Sequence, residues 1–126
     1  MKLSIICITL FILLLIICTV SLTLITETTR AVSFYLERAI ILHQNGDHAE
    51  ACKMIQYSEA LWSENQSFLC IFLTHEDIDS VVTEYARLQA HVRTEDYDDL
   101  YSTCSALIVM LRHIQEMQYP LLENIL

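Results

Sequence analysis

The sequence predicts an all-α protein: an N-terminal transmembrane helix followed by a four-helix body of two helical hairpins, with tetratricopeptide-like corners in an antiparallel bundle. Three observations carry this. The 126 residues hold one glycine and one proline, too few for the turns of a β-sandwich or for a glycine-rich phosphate loop. Apolar residues make up 54% of the chain, which excludes disorder. They fall first in one unbroken run and then in stripes at steps of three and four. The length leaves room for an anchor, residues 1–26, and one small domain, residues 27–126.

The run covers residues 3–25, 23 positions without a charge. As a helix it is about 34 Å long, enough to cross a bilayer with some tilt. Its polar members are Ser4, Thr9, Thr19, Ser21 and Thr23, whose hydroxyls can return hydrogen bonds to the helix backbone. The run is longer than the apolar core of a cleaved signal peptide, and no small-residue cleavage pattern follows it. Cys7 and Cys18 both follow isoleucine, where lipoprotein processing needs a small residue. Without an ionisable group or a glycine, the run reads as a plain anchor, with neither an ion path nor a close dimer seam. The expected location is the cell membrane, crossed once. Arg30 and Arg38 favour a cytoplasmic body on a strict positive-inside count. The two-residue tail with Lys2 fits an N-terminus left inside, and on that ground the body is expected outside the cytoplasm.

All 16 acidic residues and six of the seven basic ones lie beyond residue 26, a net charge of −10 on that part. This excludes a nucleic-acid binder, which needs clustered Lys and Arg. The first body helix covers about 30–44 and can run on from the anchor, because nothing between them breaks a helix. It stops at Asn45-Gly46, with Gly46 as a left-handed cap. Asp47 caps the second helix, residues 48–72, with Glu50 as its capping-box partner. Cys52, Ile55, Trp62, Leu69 and Phe72 form its apolar stripe. Thr74 caps the third helix, whose apolar face is Ile78, Val81, Val82, Tyr85, Leu88 and Val92. After a break at 94–96, the fourth helix starts at Tyr97 and carries the seam Leu100, Cys104, Leu107, Leu111 and Ile114. Pro120 ends it. The apolar tail 121–126 then either folds back as core, the expected outcome, or forms a docking strip. A weak repeat at an offset of 49 aligns Arg38…Asp47 with Arg87…Asp96, and Trp62 with Leu111. That period is too long for a tetratricopeptide solenoid.

Chemistry-bearing groups are sparse. His75 and Asp79 stand four apart on one helix face and could grip a metal, with His91 or His113 as further ligands. Capping of the third helix by its acids explains the same residues. Cys52, Cys70 and Cys104 show no metal-type spacing, and buried free thiols are expected. No complete catalytic set appears, and no cofactor is implied.

The N-terminal span, the Gly46-Asp47 corner followed by Glu50-Ala51, Trp62, the run His75-Glu76-Asp77-Ile78-Asp79, Arg87-Leu88 and the ending Glu123-Asn124-Ile125-Leu126 occur in a telling order. That order resembles the bacterial domain-of-unknown-function family numbered 4363. The resemblance implies a membrane-anchored helical protein of Gram-positive bacteria. It carries no established activity, so His75, Asp79, Trp62 and Asn124 are pattern positions without roles. The expectation is a non-enzymatic single-span protein, held in the bilayer through residues 3–25, whose body is an interaction or accessory module. Its partner would be another membrane or envelope protein or a second copy, met through candidates such as Trp62, Glu123, Asn124 and Ile125. The alternative is a metal- or ligand-binding sensor, or an enzyme, using His75 and Asp79.

Overall fold

The computed structural model describes residues 1–118, so the tail candidates Glu123, Asn124 and Ile125 lie outside the described residues. Four helices follow one another: α1 Lys2–Gln44, α2 His48–Phe72, α3 His75–Thr94 and α4 Tyr97–Met117. Among the described residues there is no strand. The apolar run and the first body helix are one element, since no glycine, proline or cap interrupts the 43 residues of α1. Four of its early hydroxyls, those of Thr9, Thr19, Ser21 and Thr23, return hydrogen bonds to the helix backbone. Thr9 Oγ1 donates to the Ile5 carbonyl at 2.8 Å, and Thr19 Oγ1 to the Leu15 carbonyl at 2.8 Å.

Burial divides α1 in two. Every residue from 1 to 20 is exposed, whereas Ile25, Val32, Leu36 and Ala39 are buried at steps of seven, four and three. Ile25, assigned to the bilayer from sequence, is 1% exposed because it is already inside the body. An apolar side chain reads the same whether lipid or protein covers it, so the sequence could not mark this border.

α1 packs along α2 and α4, while α3 packs on α4 and more lightly on α2. One core joins them, built from Val32 and Leu36 of α1, Ile55, Trp62 and Leu69 of α2, Val81, Tyr85 and Leu88 of α3, and the α4 seam. All five seam residues read from sequence on α4 are buried. On α3 the apolar face is narrower than its composition suggests: Val82 is 44% exposed beside the Val81–Tyr85–Leu88 line. Two polar side chains of the core satisfy one another. Tyr85 Oη donates to Ser58 Oγ at 3.0 Å, and Ser58 Oγ to the Ile55 carbonyl at 2.7 Å.

Two corners share one geometry. At the first, Gly46 N–H donates to the His43 carbonyl at 3.0 Å and Asp47 N–H to the Leu42 carbonyl at 2.9 Å. At the second, Glu95 N–H reaches Val92 at 3.4 Å and Asp96 N–H reaches His91 at 3.0 Å. Both are Schellman closures, and both are followed by an Asp whose carboxylate accepts the N–H three residues on, Glu50 or Asp99, at 3.3 Å. The offset of 49 residues thus relates two equivalent turns. The left-handed position is Gly46 (φ +83°) in one and Glu95 (φ 55°) in the other. The reciprocal half of the expected capping box is absent. Asp47 N–H is taken by Leu42, and the Glu50 carboxylate accepts from Lys53 Nζ at 2.7 Å instead.

A side chain in the left-handed region clashes with its own backbone, while glycine does not. Gly46→Ala is therefore expected to lose about 1 kcal/mol, and Glu95→Gly to gain up to about 1 kcal/mol. Urea unfolding of the protein in micelles measures both. Equal and negligible changes would mean that neither corner is under conformational selection.

Candidate functional site

The two corners meet at the end of the body away from the apolar run, and there the aromatic and titratable side chains gather. His43 belongs to the last turn of α1, His48 opens α2 and Tyr97 opens α4. The Nδ1 atoms of His43 and His48 are 2.7 Å apart, a hydrogen bond in which one ring carries the proton and the other the lone pair. The His48 ring stacks on Tyr97 at 3.9 Å with planes 8° apart, and His43 lies 5.2 Å from the same phenol. His48 and Tyr97 are equivalent positions under the 49-residue offset, each the first residue of its helix. That offset was the signal by which this cluster could have been found.

Burial holds the His43 pKa below its ordinary value, the charge of His48 pushes it further down, and Asp98 pulls it back. The folded protein therefore takes up this proton at lower pH than the unfolded chain does. The stability His43 contributes is full above its unfolded pKa of 6.5 and is lost as the pH falls below that value. Protonating both rings would also place two donors face to face. We expect melting temperatures to drop as the pH falls from about 7 to about 5, and His43→Gln to reduce that slope. An unchanged slope in the variant would remove the effect from His43.

Beside this cluster, ligand-type atoms of His91, Asp96 and Asp99 lie within 4.8 Å of one another. The corner itself accounts for their positions: Asp96 is the cap of α4, and Asp99 is the residue it caps. Both carboxylates are exposed to water, and His91 is half-buried.

The residues singled out from sequence lie elsewhere. His75 and Asp79 are exposed at the start of α3, at the opposite end of the body, and no ion pair joins them. Asp79 lines a shallow groove with Glu76, Ser80, Thr83, Glu84 and Met110. Thr74 caps α3 by accepting from Asp77 N–H at 3.1 Å, while its hydroxyl donates to the Asp77 carboxylate at 2.8 Å. Trp62 is 1% exposed, with its whole surface inside the core. Its indole N–H has no hydrogen-bond partner.

Two thiols, Cys52 and Cys104, are shifted away from activation. Burial pushes Cys104 up to about 12 and raises Cys52 as well, and a protonated thiol is a poor nucleophile. No Cα of α2 comes within 8 Å of one in α4, so Cys52 and Cys104 are too far apart to bridge. The remaining feature is the junction of the apolar run with the body. There Phe68 and Ile71 of α2 stand 62% and 70% exposed over the flank of α1.

Compared with known sequences, residues 19–125 match the family model described as domain of unknown function DUF4363. No curated protein and no solved structure matches the chain.

Proposed function

Since the chain belongs to the DUF4363 family, a domain without a known function, we propose that it is a non-enzymatic single-span membrane protein. Its acidic helical body serves as an interaction or accessory module at the membrane surface, outside the cytoplasm of a Gram-positive cell. One observation carries this reading: α1 passes without a break from an exposed and mostly apolar stretch, residues 2–20, into the middle of a packed core. Such a rod is insoluble in water and comfortable in hydrocarbon, where a helix satisfies its own backbone. Joined rigidly to the body, it fixes how the body is presented to neighbours in the same membrane. The partner is another membrane or envelope protein, or a second copy.

In-cell cross-linking followed by blue-native electrophoresis and mass spectrometry tests the role. A reproducible complex containing one membrane partner, or the protein itself, is expected. Free monomer alone in native membranes would sink the interaction module. Protease digestion of a C-terminal tag on protoplasts reads the orientation, and a protected tag would put the body inside.

A second reading, a cation-responsive module, is favoured by one observation, the convergence of His91, Asp96 and Asp99. It does not draw on His75 and Asp79. Calorimetric titration with manganese and zinc decides it: stoichiometric binding lost in His91→Ala would support it, and no binding would remove it.

A further inference from the structure

We propose that the last turns of α2, through Phe68 and Ile71, insert into the lipid bilayer beside the span as a second, non-spanning membrane contact. This rests on the reading of α1 as a span. Because α1 has no break, the height of every body residue above the span is fixed by the fold. A hydrocarbon layer of about 30 Å takes up roughly 20 residues of an upright helix. Starting at Leu3, it reaches about Leu22, so Ile16, Ile17 and Val20 lie in hydrocarbon. The same three side chains form one wall of an apolar groove of about 490 Å³ whose other wall is Phe68, Ile71 and Phe72. A groove with one wall in hydrocarbon opens onto acyl chains, and lipid surrounds that wall because every residue from 1 to 20 is exposed.

The chemistry of the groove agrees. Its one polar side chain, Asn65, already donates to the Leu61 carbonyl at 2.9 Å. Phe68 and Ile71 are large apolar groups with most of their surface uncovered, a state that water penalises and lipid does not. Charge does not hold this turn to the membrane: no Lys or Arg occurs between Lys53 and Arg87. Acids flank it on both sides, Glu64 one turn back on α2 and Glu76 and Asp77 in the first turn of α3. They set the depth limit, since carboxylates stay in the headgroup layer. The contact is therefore made to acyl chains, and anionic headgroups add nothing to it.

The test uses the full chain in phosphatidylcholine vesicles, with and without lipid brominated midway along its acyl chains. Three variants each add one tryptophan to Trp62: Ile12→Trp in the span, Ile71→Trp in the proposed contact and Val109→Trp on the exposed flank of α4. The added emission of Ile12→Trp and Ile71→Trp is expected to be mostly lost to bromine, and that of Val109→Trp retained. Replacing part of the lipid by phosphatidylglycerol is expected not to deepen the quenching at Ile71→Trp. Quenching at Ile12→Trp without quenching at Ile71→Trp overturns the contact and leaves the span standing. Blue-shifted but unquenched emission at Ile71→Trp does the same, and means that protein covers the groove. No quenching at Ile12→Trp removes the span and the contact together.

Discussion

Trp62→Ala is expected to be the most damaging single substitution in the body, with a loss of about 3–5 kcal/mol. A domain of this size has a total stability of about 5–15 kcal/mol, so much of the population would unfold near physiological temperature. The reason is volume. Trp62 is the largest fully buried side chain, and it sits on the α2 stripe with Ile55 and Leu69. Alanine would leave a cavity bounded by several helices, which cannot all close in. Trp62→Phe separates packing from polarity. It gives up part of the ring but also removes an indole N–H that has no partner, a burden of about 1–3 kcal/mol when buried. We expect the phenylalanine variant to lie much nearer the parent than the alanine variant. Thermal unfolding in micelles, followed by circular dichroism, measures both. If Ala and Phe were equally harmless, Trp62 would not be a packing centre.

Much of this architecture was legible because its signals are local. The α4 seam, the Gly46-Asp47 corner and the Thr74 cap follow from spacing and cap chemistry within a few residues, and each appears where those rules put it. What was not legible depends on what covers a surface. Ile25 is apolar and could face lipid or protein; only packing shows that protein covers it. Phe68 and Ile71 lie off the α2 stripe and are exposed, but spacing alone does not show which apolar surface they stand over. The corner cluster failed to show for a different reason. His48 and Tyr97 are distant in sequence and unremarkable singly, and become neighbours only because the repeated corners meet at one end. Glu95 is a further case: nothing in a Thr-Glu-Asp run announces a left-handed residue, and the turn is imposed by the helices on either side.

Removing residues 2–20 is expected to have the largest effect on location, moving the protein from the membrane pellet to the supernatant while the body keeps its helices. Every side chain removed is exposed, and the core begins only at Ile25. The remaining part has a net charge of −10, which opposes association. Sedimentation and circular dichroism of the truncated chain read both halves of this expectation; a pelleting or unfolded product would mean that the run also holds the body together. The truncated chain is further expected to partition weakly onto neutral vesicles, because Phe68 and Ile71 remain. Two such side chains offer about 1.5–3 kcal/mol each on burial, far short of a span and enough only for reversible contact. Phe68→Ser with Ile71→Ser is expected to abolish that residual partition without altering the melting temperature, since neither side chain belongs to the core. Under the proposed reading, a contact too weak to anchor the protein alone would still act, because the unbroken α1 would hold it at the surface. Its expected effect is on tilt: a second point of contact beside the span would keep the body from swivelling freely and would hold the corner bearing His43, His48 and Tyr97 at a set height.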